Sequence, residues 1–172
     1  MGRLMREYKV NAKLARQVLD SEYGDLFEAV VEETGISATV AAVALTETLK
    51  ALKRNGLEIE EVTDEQFKHL FGFVSSRRLA KEAIPDVLTW LAGHGGAGVE
   101  DAVESLGLTM LSREELKTVV DELIRENKKL VEERRMGAFG VLMGLVMKRF
   151  RGRVMAELVS EILKKRLEES VK

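Results

Sequence analysis

The sequence predicts an all-α fold made of two small helical subdomains. Three observations carry that prediction. Apolar side chains recur at steps of three and four residues along most of the chain, and no segment shows convincing period-2 alternation. Capping residues followed three positions later by Glu or Gln stand where two of these stripes begin. Glycine or Asn-Gly closes several of them, and the chain holds a single proline.

Asn11 can cap a short helix running to about Asp20. Ser21 can cap the next, in which Leu26, Phe27, Val30 and Val31 share a face and Gly35 ends the helix. Ser37 opens a long helix to about Arg54, with a seam of Ala42, Leu45, Leu49 and Leu52, closed by Asn55-Gly56. Thr63-Asp64-Glu65-Gln66 is a capping-box pattern that starts a helix burying Phe67, Leu70 and Phe71. Ser76 can cap the helix after it, where Leu79, Ala80, Ala83, Ile84, Val87, Leu88 and Leu91 form one apolar stripe. Pro85 lies inside that stripe, so the helix must kink there or split with Pro85 near a new N-terminus.

Four glycines in the six residues 93–98 predict a loop, and Val99 to Leu106 another short helix. The boundary between subdomains falls near Leu108 to Leu111, giving a helical domain over 1–108 and a tail over 109–172. Ser112-Arg113-Glu114-Glu115 is a second capping box, ahead of a helix burying Leu116, Val119, Val120, Leu123 and Ile124.

Composition narrows the chemistry. Without cysteine there is no disulfide or thiolate, which permits a reducing compartment. His69 and His94 share no helix face and have no CxxC partner, so a zinc site is not expected. No run approaches the roughly 18 apolar residues of a membrane span, no signal peptide is expected, and Arg6 stands where a myristoylation signal needs Ser or Thr. No phosphate loop, acidic metal cluster or nucleophile–base pair suggests catalysis. The formal net charge of −2 conceals an asymmetry. Residues 1–108 carry 12 basic and 18 acidic side chains, residues 109–172 carry 15 and 11, and from Arg134 onward the count is 10 against 4. That bias points the C-terminal end toward an anionic partner.

The stretch from Arg134 to Leu167 concentrates the chemistry. In its first helix Met136, Phe139, Met143, Val146 or Met147, and Phe150 form the expected apolar face. Gly137, Gly140 and Gly144 form a second stripe. Each glycine costs about 0.8–1 kcal/mol against alanine inside a helix, so something must offset that penalty. A glycine stripe permits close approach, either of another helix of the same domain or of an RNA or partner backbone met by the cations at its end. Lys148-Arg149-Phe150-Arg151-Gly152-Arg153 follows, with four cations in six residues. Lys148 and Arg149 also complement the negative end of the helix dipole. That role does not account for Arg151 and Arg153 around a turn glycine, where arginine forks suit phosphate oxygens. The last helix is expected to bury Met155, Leu158, Val159, Ile162 and Leu163 and to carry a Glu161–Lys165 pair.

These residues carry a resemblance. Met143-Gly144, Val146-Met147-Lys148, Arg151-Gly152-Arg153 and Leu158-Val159-Ser160-Glu161-Ile162-Leu163 resemble the YqeY-type tail of the GatB/GatE family. Upstream, Ser21-Glu22-Tyr23 with Leu26-Phe27-Glu28 resembles the start of that family's helical domain, Lys81-Glu82-Ala83-Ile84-Pro85 its central helix, and Leu111-Ser112 with Glu114-Glu115-Leu116 the family's next helix start. Each motif is modest, and their order over nearly the whole chain is the signal. Tyr23, the segment from Lys81 to Pro85, and Arg151-Gly152 favour the archaeal GatE branch over the bacterial GatB branch.

The resemblance implies a three-helix YqeY-like tail and a place in a cytoplasmic, tRNA-dependent amidotransferase that converts Glu-tRNA(Gln) to Gln-tRNA(Gln). ATP and magnesium would serve a catalytic region outside this chain, ammonia would come from an amidase partner subunit, and no cofactor is expected here. This chain would grip tRNA(Gln) through Lys148, Arg149, Arg151, Gly152 and Arg153, and would not be the main contact for the amidase. Where the family commonly has Asp-Gly or Asn-Pro, this chain has Met155-Ala156, losing a good N-cap worth about 1 kcal/mol. A free-standing YqeY-like protein-interaction domain is the alternative the same residues permit.

Overall fold

The computed structural model describes residues 1–172 and is built of helices and turns, without a strand. The chain divides into two compact units, Met1–Leu108 and Thr109–Lys172, each with its own apolar core.

The first unit opens with α1 (Gly2–Tyr8), which has no capping signal in the sequence. In α2 (Ala12–Leu19) the Asn11 Oδ1 accepts from the Leu14 N–H at 2.9 Å. α3 (Gly24–Thr34) is not capped by Ser21, contrary to the sequence expectation. The Ser21 hydroxyl donates to the Val18 carbonyl at 2.8 Å and accepts from the Tyr23 N–H at 3.2 Å, so it closes the preceding helix and the turn. Gly35, at φ 69°, ends α3.

The long helix expected from Ser37 to Arg54 runs as α4 (Ala38–Val43), a widened π turn (Ala44–Thr48) and α5 (Leu49–Arg54). At the π turn the Thr46 hydroxyl donates back to the Ala42 carbonyl at 2.6 Å. α6 (Asp64–Ser75) has its capping box: Thr63 Oγ1 accepts from the Gln66 N–H, and Gln66 Oε1 accepts from the Thr63 N–H at 2.9 Å. The other end of the Gln66 amide donates to the Ala97 carbonyl at 2.8 Å, which fastens the glycine-rich loop to α6.

Ser76 is not a helix start. It lies at the C-terminus of α6, next to Arg77 at φ 62°. A 3₁₀ turn (Lys81–Ala83) leads into α7 (Ile84–Gly93), so Pro85 sits in a first turn, where a missing N–H leaves nothing unsatisfied. The apolar stripe from Leu79 to Leu91 is thus divided between a loop and a helix, and both parts enter the core. α8 (Val99–Ser105) completes the unit. Phe27, Phe67, Phe71, Leu45 and Leu88 are fully buried at its centre.

The second unit contains α9 (Arg113–Glu126), α10 (Lys128–Arg134), a 3₁₀ turn (Arg135–Ala138), α11 (Phe139–Arg149) and α12 (Ala156–Ser170). Four helical segments stand where the resemblance implies three. Asn127, with its side-chain amide donating to the Leu123 carbonyl at 2.8 Å, separates α9 from α10, and Arg135 ends α10.

The capping box of α9 forms as its residues suggest: Ser112 Oγ accepts from the Glu115 N–H at 3.1 Å, and the Glu115 carboxylate accepts from the Ser112 N–H at 2.8 Å. That backbone donor holds the Glu115 carboxyl below its usual range. Its contribution is therefore present above the ordinary carboxylate pKa and is lost as pH falls through the lowered value. Replacing Ser112 by alanine is expected to cost about 1 kcal/mol, measured as a shift of the urea midpoint.

α11 packs on α9 and α12. Its buried face is Ala138, Leu142 and Val146, at steps of four. Met136 is 38% exposed, and Phe139, Met143, Met147 and Phe150 are half-buried at the edges of the contact. This corrects the expected face: smaller and branched residues occupy the close helix contact, while the long flexible and aromatic side chains fill its margins. Val154 and Leu167 join Val159, Ile162 and Leu163 in the core, whereas Met155 is half-buried and caps α12 without a side-chain bond. Glu161 pairs with Arg113 on α9 rather than with Lys165, and Arg166 pairs with Asp121 at 3.2 Å, so both bridges join α12 to α9.

Candidate nucleic-acid interface

From Arg134 to Ala156 the chain carries six cations and no carboxylate. The cations cluster at the two ends of α11. Lys148 and Arg149 occupy its last turn, and both are exposed, as is Arg151 in the turn that follows. None of the three forms an ion pair, although Arg113, Lys117, Lys128 and Arg166 of the same unit do. The Arg149 guanidinium lies over the Phe150 ring, 5.4 Å from its centroid, which steadies it without neutralising it. Lys148 and Arg149 border a cleft of about 530 Å³ completed by Leu123, Glu126, Asn127 and Leu145. Glu126 is the one carboxylate lining that cleft.

Gly152 and Arg153 play a different part. Gly152 is buried at φ 79°, a left-handed conformation that favours glycine. Arg153 donates its Nε–H to the Thr109 carbonyl at 3.0 Å, while its own carbonyl accepts from the Leu111 N–H at 2.9 Å. The pair builds the turn and fastens it to the segment before α9, leaving Lys148, Arg149 and Arg151 as the outward cations. Gly152→Ala is expected to destabilise the protein by about 1–2 kcal/mol, read from the urea midpoint, because alanine must adopt the same positive φ.

The glycine stripe is open. A Cβ added at Gly140 or Gly144 would meet nothing within 4 Å, and one at Gly137 would meet only the Arg134 side chain, 3.6 Å away. Of the two neighbours the stripe could serve, a helix of the same unit is not the one observed. The glycines share the outer face of α11 with Val141 and Leu145, which are 43% and 37% exposed. Phe139 and Phe150 are both packed against the core, so the surface offers no aromatic platform for bases. What it offers is a row of arginine and lysine donors beside an unobstructed helix backbone, chemistry suited to phosphate and ribose oxygens.

One feature of this surface has no sequence signal. Arg135 adopts φ 49° and ψ −124°, a conformation that costs a non-glycine residue about 1–3 kcal/mol. It turns the chain between α10 and the 3₁₀ entry to α11, and both Arg134 and Arg135 are exposed and unpaired there.

Comparison with known proteins places the chain. The family model described as the GatB domain, GatB_Yqey, matches residues 25–167. The E-type subunit of glutamyl-tRNA(Gln) amidotransferase from Methanococcus maripaludis is 35% identical over 170 residues, covering 98% of this chain and 27% of the relative. Its counterpart from Methanosarcina barkeri is 35% identical over 173 residues, with 98% and 27% covered. That from Thermococcus gammatolerans is 33% identical over 167 residues, with 97% and 26% covered. The chain therefore spans about a quarter of the length of these relatives. With most of its length matched by one family model and nearly all of it aligned to these amidotransferase subunits, the chain belongs to the GatB domain family.

Proposed function

We propose that this chain is the tRNA-binding, C-terminal region of a tRNA-dependent amidotransferase subunit, holding and selecting tRNA(Gln) while Glu-tRNA(Gln) is converted to Gln-tRNA(Gln). ATP and magnesium belong, on this reading, to a catalytic region outside the chain, the amidase partner contacts mainly other parts, and the work is done in the cytoplasm. The observation that carries the reading is the exposed strip of unpaired cations around α11, with Lys148, Arg149 and Arg151 facing outward and Gly152 and Arg153 holding their turn. Structured RNA is recognised chiefly through phosphate and 2′-OH contacts, which such a surface supplies without base-stacking aromatics.

The test is a gel-shift titration of the purified chain with a tRNA(Gln) transcript and with a non-cognate tRNA. Tighter binding of tRNA(Gln) supports both parts of the proposal; equal binding removes selection; no shift removes the RNA assignment. The exposed Val141 and Leu145 favour one second reading, a free-standing YqeY-like protein-interaction domain, for which the purified chain would capture a protein partner through this face and Leu145→Ala would weaken that capture.

A further inference from the structure

The cations of the second unit are not confined to one end of α11. Arg134 and Arg135 stand at the entry to the helix, Lys148 and Arg149 at its exit, and Arg151 just beyond. Between the two groups the exposed positions are Met136, Gly137, Gly140, Val141, Gly144 and Leu145, with no acidic residue among them. At 1.5 Å per residue in the α-helix and about 2 Å in the 3₁₀ turn, the two cationic ends are separated by roughly 20 Å. A regular helix, buried along Ala138, Leu142 and Val146, fixes that separation. Arg135 is held in its unfavourable backbone conformation at the very point where the entry cations project.

We infer that Arg134 and Arg135 form a second phosphate contact, so that α11 engages RNA at two points a fixed distance apart and thereby favours folded, double-helical RNA over flexible single strands. The inference rests on the proposed RNA-binding role and adds to it a second anchor and a class of RNA. Two clusters at a fixed spacing are met together at least entropic cost by phosphates that are themselves rigidly spaced. A flexible strand must lose conformational freedom to meet both, whereas an A-form stem already presents its backbone in fixed geometry. Gly140 and Gly144 leave an open strip along the centre of the span, beside the exposed Val141 and Leu145. The charge is one-sided: along the chain the flanking carboxylates are Glu132 and Glu133 before Arg134 and Glu157 beyond Arg151, Glu126 lines the cleft, and Glu132 is already paired to Lys128 at 3.7 Å.

The experiment uses the 172-residue chain, a folded tRNA(Gln) transcript and a uridine homopolymer of equal length, with binding followed by fluorescence anisotropy over a salt series. The variant is Arg134→Ala with Arg135→Gly, because glycine accepts the conformation of residue 135 and the turn is kept; Arg135→Lys serves as the charge-preserving control. The double variant should bind the tRNA about tenfold or more weakly. Its log–log salt slope should fall by about 1.4–1.8, the loss of two phosphate contacts. Binding to the homopolymer should change about threefold or less, and the lysine control should match the parent. Unchanged tRNA affinity and slope in a parent chain that does bind would overturn the second anchor alone. An equal loss on both RNAs would overturn the preference for folded RNA. A parent chain that binds neither RNA would overturn the proposed function together with this extension of it.

Discussion

Replacing Lys148, Arg149 and Arg151 together by glutamate is expected to lower the affinity of the chain for tRNA(Gln) by at least about a hundredfold near 0.15 M salt. Each cation that neutralises a phosphate releases counterions, so three lost contacts should also flatten the log–log salt slope by about 2–3. Reversal adds repulsion where attraction stood, which is why the loss should exceed that of an alanine triple. The fold should survive, because none of the three side chains is tied to a carboxylate. Arg149 alone has a packing partner, the Phe150 ring, and its loss is worth about 0.5–1 kcal/mol at an exposed site. Arg153 looks by sequence like a fourth phosphate ligand of the same kind, yet its Nε–H is spent on the Thr109 carbonyl. Arg153→Glu should therefore weaken binding while also lowering the urea midpoint, and the triple reversal should lower stability by only about 1–2 kcal/mol, through the lost Phe150 contact and the reversed charges at the C-terminus of α11. Anisotropy titrations set beside circular dichroism in urea separate the two effects. A triple variant whose salt slope parallels that of the parent would remove these residues from the interface.

What is legible directly in the sequence is whatever two neighbouring residues declare together. Thr63 with Gln66, and Ser112 with Glu115, form reciprocal capping boxes because each partner lies within one helical turn of the other. Lone hydroxyls are ambiguous: Ser21 and Ser76 stand between helices, and a serine there can bond back to a finished helix as well as forward to a new one. The basic cluster is legible because charge needs no partner to be counted. Its division is not, since the acceptor that makes Arg153 structural lies 44 residues earlier in the chain. Pro85 admits two outcomes, and the choice depends on Leu79 and Ala80 entering the core from a loop. The twisted backbone of Arg135 cannot be foreseen, because nothing in Arg-Arg-Met-Gly demands a positive φ at a residue with a side chain.

The most severe loss of stability is expected at a residue that the apolar pattern of α11 leaves out. Counting bulky side chains along residues 134–150 selects Met136, Phe139, Met143, Val146 or Met147, and Phe150 as the core face, yet Leu142 is fully buried, in line with Ala138 and Val146. The phase of the helix is set by what its neighbours can accommodate. α9 contributes Leu116, Val120 and Leu123 and α12 contributes Val159, Ile162 and Leu163, and both approach along the line where α11 presents alanine, leucine and valine. A phenylalanine or methionine on that line would push the helices apart, whereas at the margins the same side chains close the edges of the core. Leu142→Ala should therefore cost about 3 kcal/mol, within the roughly 2–5 kcal/mol typical of buried leucine truncations, because a void surrounded by three helices cannot collapse without moving one of them. Met136→Ala, on an exposed side chain, should stay within about 0.5 kcal/mol of the parent. Urea denaturation followed by circular dichroism measures both. A comparable loss at the two positions would mean that α11 is rotated about its axis from the arrangement described, which would carry Gly140, Gly144 and Lys148 away from the outer surface.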